Sequence, residues 1–242
     1  MSEDFYLEID GDCPICELHT KFIAKGNWLR GTLYCSTCKK GSVPRERALA
    51  LVLERLAPNW RELVIHESSP MERGISLKLQ EQCAHYIGSH YFPNSELGTI
   101  VNGFRNENLE NQTFGDQVFD LVISLDVMEH IFEPGLAFKE IFRTLKAGGR
   151  YICTFPIRNY QVESHKRRAS LRSDGSIDFI VDPEYHGNPI SGDGALVTFD
   201  YGYAIHQMIT HWAPFEVEIS RFSKRSAGIL GEYTEVIVCS RL

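Results

Sequence analysis

From about residue 60 onward, short apolar runs rich in β-branched residues alternate with stretches of helical spacing. The runs are Leu63-Val64-Ile65, Tyr86-Ile87, Thr99-Ile100-Val101, Phe119-Asp120-Leu121-Val122-Ile123 and Arg150-Tyr151-Ile152-Cys153-Thr154. Between them the spacing predicts helices over about 72–83 and 133–146, with Gly148-Gly149 as a C-cap for the second. Strands alternating with helices predict an α/β fold, a parallel sheet with helices on both faces. Two further β-rich runs, Phe215–Ile219 and Glu235–Cys239, suit an antiparallel hairpin at the sheet edge. Upstream, Ala48, Leu49, Leu51, Val52, Leu53 and Leu56 sit at helical spacing behind Pro44 and ahead of Pro58, which predicts a helix bridging to the N-terminal segment.

That segment has a different character. Cys13-Pro14-Ile15-Cys16 and Cys35-Ser36-Thr37-Cys38 form two CxxC knuckles 18 residues apart. Each knuckle turns tightly enough to aim two sulfurs at one point, so Cys13, Cys16, Cys35 and Cys38 predict a tetrahedral zinc ribbon. With all four positions filled by protein, the zinc is expected to be structural. About 40 residues bury too little apolar surface to fold without the ion. The expected division is a ribbon over 1–43 and an α/β domain over 44–242, with a polar insertion at about 157–200, too long for an ordinary connection.

Composition narrows the functional classes. A net charge of -7 weighs against a chain built mainly to hold nucleic acid by its phosphates. No apolar run approaches the roughly 20 residues of a membrane span. The acidic start, Met1-Ser2-Glu3-Asp4, has no secretory h-region, so a cytoplasmic location with reduced thiols is expected. The basic residues of the ribbon, Arg30, Arg45 and Arg47 among them, read as a solvated face.

The stretch Phe119–Ile131, with Asp126, Glu129 and His130 near its end, is followed by Leu145-Lys146-Ala147-Gly148-Gly149. Together they resemble the signature of class I S-adenosylmethionine-dependent methyltransferases, methyltransferase type 11-like. The resemblance covers roughly residues 60–156 and implies a Rossmann-like, seven-stranded methyltransferase sheet with S-adenosyl-L-methionine as cofactor. It further implies that Glu67 keeps the acidic role after the first strand. Ser68, Ser69 and Gly74 stand where a glycine-rich turn is usual, and Ser89 where an acidic residue grips the ribose. By position Asn108 and Leu109 border the adenine, while Leu125, Asp126 and His130 line the cofactor pocket.

Methyl transfer from a sulfonium needs an aligned acceptor, exclusion of water and, for an oxygen acceptor, a proton acceptor. The insertion carries Tyr185-His186-Gly187-Asn188-Pro189 and Thr198-Phe199-Asp200, so His186 is the first candidate base, followed by Asp200 and Tyr185. The favoured function is a methyltransferase of a small molecule or a sugar or glycan. An RNA methyltransferase and a non-catalytic scaffold whose ribbon binds a partner are the alternatives.

Overall fold

The computed structural model describes residues 6–188 and 191–242; the acidic start and Pro189 of the insertion lie outside them. In the ribbon, β1 (Tyr6–Asp12), β2 (His19–Lys25) and β3 (Tyr34–Cys35) make a three-stranded antiparallel sheet, with the one-turn helix α1 (Leu29–Thr32) between the last two. Helix α2 (Pro44–Leu56) follows. It starts with proline at its first position, where the missing N–H costs nothing, and Glu46 reaches back to accept from the Val43 N–H at 3.0 Å.

The body runs β4 (Val64–Ser68), α3 (Gly74–Gln82), β5 (His85–His90), β6 (Ile100–Val101), β7 (Phe104–Asn106), β8 (Phe119–Leu125), α4 (Pro134–Thr144) and β9 (Leu145–Thr154). After β9 come six short strands: β10 (His165–Arg167), β11 (Ala169–Leu171), β12 (Ile177–Phe179), β13 (Tyr185–Asn188), β14 (Ser191–Leu196) and β15 (Phe199–Tyr201). Helix α5 (Ile205–Trp212) and the hairpin β16 (Glu216–Arg221) and β17 (Glu235–Ser240) complete the chain.

The main sheet has eight strands in the order β16-β17-β9-β8-β4-β5-β7-β6. The five from β9 to β7 are parallel, and the hairpin adds antiparallel at one edge, as its sequence predicts. β8 lies central and is buried almost throughout, which is why Phe119–Leu125 is near-continuously apolar instead of alternating. The third parallel strand differs from expectation. Ile100–Val101 is only an antiparallel edge piece, and Phe104–Asn106 makes the parallel pairing with β5. This extra edge accounts for eight strands where seven were expected. The helix ahead of β9 also ends earlier than the glycines suggest. Its C-cap is Leu145, and Gly148, at φ +76, turns the chain within β9, where the pairing with β8 shifts register between Phe119 and Leu121.

Apolar side chains pack on both faces of the sheet. On the α4 and α5 face, Phe138, Ile141, Tyr151, Ile205 and Ile209 are buried. On the α2 face the core is continuous with the ribbon: Cys13, Ile15, Phe22 and Leu33 join Leu49, Leu53, Ile65 and Ile229. Arg47, fully buried in α2, ties the two together. It donates to the carbonyls of Ser42, Leu33 (2.8 Å) and Gly228 (2.6 Å), with its guanidinium 4.6 Å from the Phe22 ring centroid. A buried guanidinium spent on three chain segments makes the ribbon a wall of the body instead of a tethered appendage.

Candidate active site

The cysteines of the ribbon come together. Cys13 and Cys38 sulfurs are 3.5 Å apart, Cys16 and Cys35 are 3.9 Å apart, and all four lie within 4.8 Å of one another. A tetrahedral ion with Zn–S bonds of about 2.3 Å spaces its sulfurs about 3.8 Å apart, so the cluster fits zinc in both donor type and size.

A cavity of about 720 Å3 opens at the C-terminal ends of β4 and β8, within the size range of small-molecule sites. Ser69, Leu125, Asp126 and His130 line it from the sheet, and Tyr185 and His186 from the insertion. Trp28, Arg30 and Tyr34 of the ribbon close a third side. Ser69 holds φ +56 at the end of β4, a conformation that favours glycine, and donates its N–H to the Ser89 carbonyl at 2.7 Å.

The floor is a chain of ion pairs. Arg30 donates to both oxygens of Asp126 at 2.8 and 2.6 Å, and Arg45 Nε lies 2.8 Å from the same carboxylate. Burial works to raise the Asp126 pKa, but the two guanidiniums hold it well below the usual carboxylate range. Beside them Arg73 donates to Glu46 at 2.9 Å. The close approach of Glu46 explains Gly74, at φ +55, where an added Cβ would stand 2.1 Å from a Glu46 oxygen. Gly74 therefore makes room for α2 and is not among the cavity residues.

Other expected cofactor residues are also spent elsewhere. Glu67 is fully buried and accepts from Ser76 Oγ at 2.5 Å and Tyr86 OH at 2.9 Å, tying α3 to β5. Burial pushes its pKa up to about 7 against those two hydrogen bonds. Ser68 is buried at the end of β4, between its partners Ser89 and Ser124. Ser89 Oγ bonds the His66 ring at 2.8 Å inside the sheet. Leu109 is buried in the core, and Asn108 accepts from the Glu110 N–H at 2.9 Å. None of these lines the cavity. The ends of β5 and β7 are closed by their own side chains. His90 is buried with its ring centroid 4.5 Å from that of Phe104, while Asn106 bonds the Phe92 N–H and the carbonyls of Phe92, Ser95 and Glu96.

The insertion forms a lid seated on the turn Met128–His130. Thr198 donates its N–H to the Glu129 carbonyl (2.7 Å), Tyr201 OH donates to the Met128 carbonyl (3.0 Å), and His130 Nδ1 bonds the Leu196 carbonyl (2.8 Å). His186 lies 3.7 Å from the Glu129 carboxylate and 3.1 Å from Glu184. Glu129 raises the His186 pKa against the burial that lowers it. Asp200, expected as a base, is away from the cavity. It accepts from Arg158 (3.0 Å) and Arg168 (2.9 Å), so its charge fastens the lid. Tyr185 lines the cavity and is largely exposed.

Sequence reasoning missed Arg30, Arg45, Arg73 and Arg158 as cavity residues. A run such as Val43-Pro44-Arg45-Glu46-Arg47, with charges of both signs packed into the first turn of an amphipathic helix, is the available signal that these side chains face partners and not water.

Residues 75–153 match the family model described as a methyltransferase domain. No curated protein matches the chain. Among solved structures, an S-adenosylmethionine-dependent methyltransferase from Mesorhizobium loti superposes with a TM-score of 0.50 at 13% identity, over 81% of this chain and 98% of that one. A 1,6-didemethyltoxoflavin-N1-methyltransferase from Burkholderia thailandensis, solved with bound 1,6-didemethyltoxoflavin and S-adenosylhomocysteine, gives 0.52 at 12% identity, over 82% and 78%. A protein from Pyrococcus horikoshii gives 0.52 at 16%, over 82% and 90%. Residues 75–153 carry the likeness to a methyltransferase domain. The sheet has the fold of the methyltransferases on which it superposes, with the ribbon and the lid as two additional walls of the cavity. Among the described residues no helix is long and apolar enough to cross a membrane.

Proposed function

We propose that this methyltransferase domain binds S-adenosylmethionine in the cavity over β4 and β8 and methylates a small molecule or sugar admitted under the lid. The observation that carries the reading is the convergence of Ser69, Leu125, Asp126 and His130 from the sheet rim with Tyr185 and His186 from the lid around one cavity. The residues fit the amino-acid end of the cofactor. The loop at Ser69 is open, and Arg30, Arg45 and Arg73 favour a carboxylate nearby. The closed rim at β5 and β7 does not offer the shelf that Ser89, Asn108 and Leu109 are expected to supply. Trp28, Tyr34 and Tyr233 supply aromatic faces for a purine on the ribbon side instead. When bound, the cofactor supplies the methyl group and its own leaving group. The chain's own part is to exclude water beneath the lid and to place the acceptor beside Glu129, His130 and His186. The four-cysteine cluster holds a structural zinc that keeps Trp28 and Arg30 in place.

Calorimetry and thermal shift with S-adenosylmethionine and S-adenosylhomocysteine test this, with Leu125→Arg as the blocked control. Binding heat for both ligands, lost in the variant, is expected. The closed β5–β7 rim favours a second reading, a non-catalytic scaffold. Absence of heat and of any shift with the zinc-loaded protein would select it.

A further inference from the structure

Beneath the lid, Glu129 is 2% exposed, and neither carboxylate oxygen has a hydrogen-bond donor among the described residues. A buried carboxylate without a donor is costly unless a cation balances it. The nearest groups are two imidazoles. His186 Nδ1 stands 3.7 Å and His130 Nε2 3.9 Å from Glu129 Oε1, and one ligand atom from each of the three residues falls within 4.8 Å of the other two. The two rings are perpendicular, with centroids 5.3 Å apart.

The far side of each ring sets what its near side can do. His130 Nδ1 lies 2.8 Å from the Leu196 carbonyl, which only accepts, so that nitrogen carries the hydrogen and Nε2 turns a lone pair towards Glu129. His186 Nε2 lies 3.1 Å from Glu184 Oε1, so in the neutral, metal-binding form of the ring it donates there and leaves the Nδ1 lone pair on the Glu129 side. Glu184 is itself fixed by two 3.0 Å bonds from Arg158. Metal-bound histidines are oriented in this way, by a carbonyl or carboxylate on the second ring nitrogen.

We propose that Glu129, His130 and His186 form a binding site for a divalent first-row transition cation, separate from the ribbon zinc. Two imidazoles and one carboxylate suit such a cation better than Mg2+ or Ca2+, which prefer all-oxygen shells. Ligands about 2.1 Å from a tetrahedral ion are about 3.4 Å apart, a few tenths of an ångström inside the two spacings to Glu129 Oε1. His186 is on the lid, so its rotation closes the difference. His130 and His186 line the cavity, which leaves the cation's remaining positions facing the acceptor space. A hydroxyl or water bound there is acidified by the cation. That use, for an oxygen acceptor, rests on the methyl-transfer reading; occupancy of the site does not.

The test uses the full chain with its ribbon zinc in place, titrated with Mn2+ by electron paramagnetic resonance and with Co2+ by visible absorption. One bound cation per chain is expected, with zinc content unchanged. His186→Ala, on the lid, is expected to weaken binding at least tenfold, Glu129→Gln to abolish it, and Glu184→Gln to weaken it through loss of ring orientation. Thermal melting of each variant confirms folding, and His186→Ala carries the test if Glu129→Gln does not fold. No uptake of either cation, or uptake that His186→Ala leaves unaltered, overturns the site. Calorimetry with S-adenosylmethionine on the same samples separates the two claims. Cation binding without cofactor heat removes only the methyl-transfer reading, and cofactor heat without cation binding removes only the metal site.

Discussion

The two halves of the sheet's C-terminal rim are built from the same kind of strand and end differently. Over β4 and β8 the chain leaves a cavity, floors it with Asp126, Arg30 and Arg45, and roofs it with ribbon and lid. Over β5 and β7 it fills the space with His90, Phe104 and the Asn106 network. The contrast lies in where partners come from. The open half is walled by segments distant in sequence, so its shape depends on tertiary docking. The closed half is sealed by residues within a few positions of its own strands. A ligand at the open half therefore reports on the ribbon, and one at the closed half would not.

The largest expected effect follows from that dependence. Stripping the zinc, or Cys35→Ser, removes a contribution measured in isolated zinc modules at about 10–16 kcal/mol. Because ribbon and body share one core on the α2 face, calorimetry should show a single transition that moves down, not an early ribbon melt with an unchanged body. A loss of even about 5 kcal/mol lowers Tm by about 10–20 °C in a chain of this size. Two independent transitions would dissolve the comparison.

Next comes the floor. Arg30→Ala leaves the largely buried Asp126 carboxylate with Arg45 as its charged partner and the Thr154 hydroxyl, and removing one partner of a buried pair costs about 3–5 kcal/mol. Urea unfolding of Arg30→Ala, Asp126→Asn and the double variant should give a coupling of about 1–3 kcal/mol. A loss under about 0.5 kcal/mol would mean that the pair behaves as a solvent-screened surface contact.

Glu67 sharpens the boundary between the halves, since it joins α3 to β5 beneath both. Burial raises its folded-state pKa to about 7, above the value near 4.5 of the unfolded chain. A raised carboxyl favours the protonated fold, so its contribution is fully present below about pH 4.5 and is lost as pH rises towards 7. At about 1.4 kcal/mol for each pH unit separating the two values, the loss is at most about 3.5 kcal/mol. Glu67→Gln, which removes the titration and keeps one carbonyl acceptor of the two that Ser76 and Tyr86 use, should flatten stability against pH across that window. An unchanged slope would place the titration elsewhere.

The sequence pattern made legible what depends on local periodicity or spacing. Alternating apolar runs placed β4, β5, β8, β9 and the terminal hairpin, and the CxxC pairs placed the four-cysteine cluster, because each signal is contained within a few neighbouring residues. β7 was misplaced onto Ile100–Val101 because Phe104-Arg105-Asn106 carries little β-branched signal; its pairing with β5 is set by register at Ser89 and His90. Within the candidate site, residues at strand ends could be positioned by resemblance, and Ser69, Leu125, Asp126 and His130 do line the cavity. The arginines could not, since the partner of Arg30 is 96 positions away. Charge counting alone does not distinguish a solvated base from one folded onto a distant acid.

Ser89 makes the smallest and most discriminating difference. By resemblance it belongs to the ribose, but its hydroxyl is buried and bonded to the His66 ring, whose pKa burial lowers to about 3. At neutral pH that ring is uncharged, so Ser89→Ala removes one neutral buried hydrogen bond, worth about 1 kcal/mol in urea unfolding. Its heat of binding S-adenosylmethionine should match that of the unaltered protein, as should that of Asn108→Ala. A bulky Ser69→Val, by contrast, forces a β-branched side chain into positive φ at the open rim and should lower affinity at least tenfold. If the ranking reverses, with Ser89→Ala losing tenfold and Ser69→Val nothing, the donor lies over β5 and β7. The side chains that close that half would then have to move aside for it, and the ribbon would have no part in holding the purine.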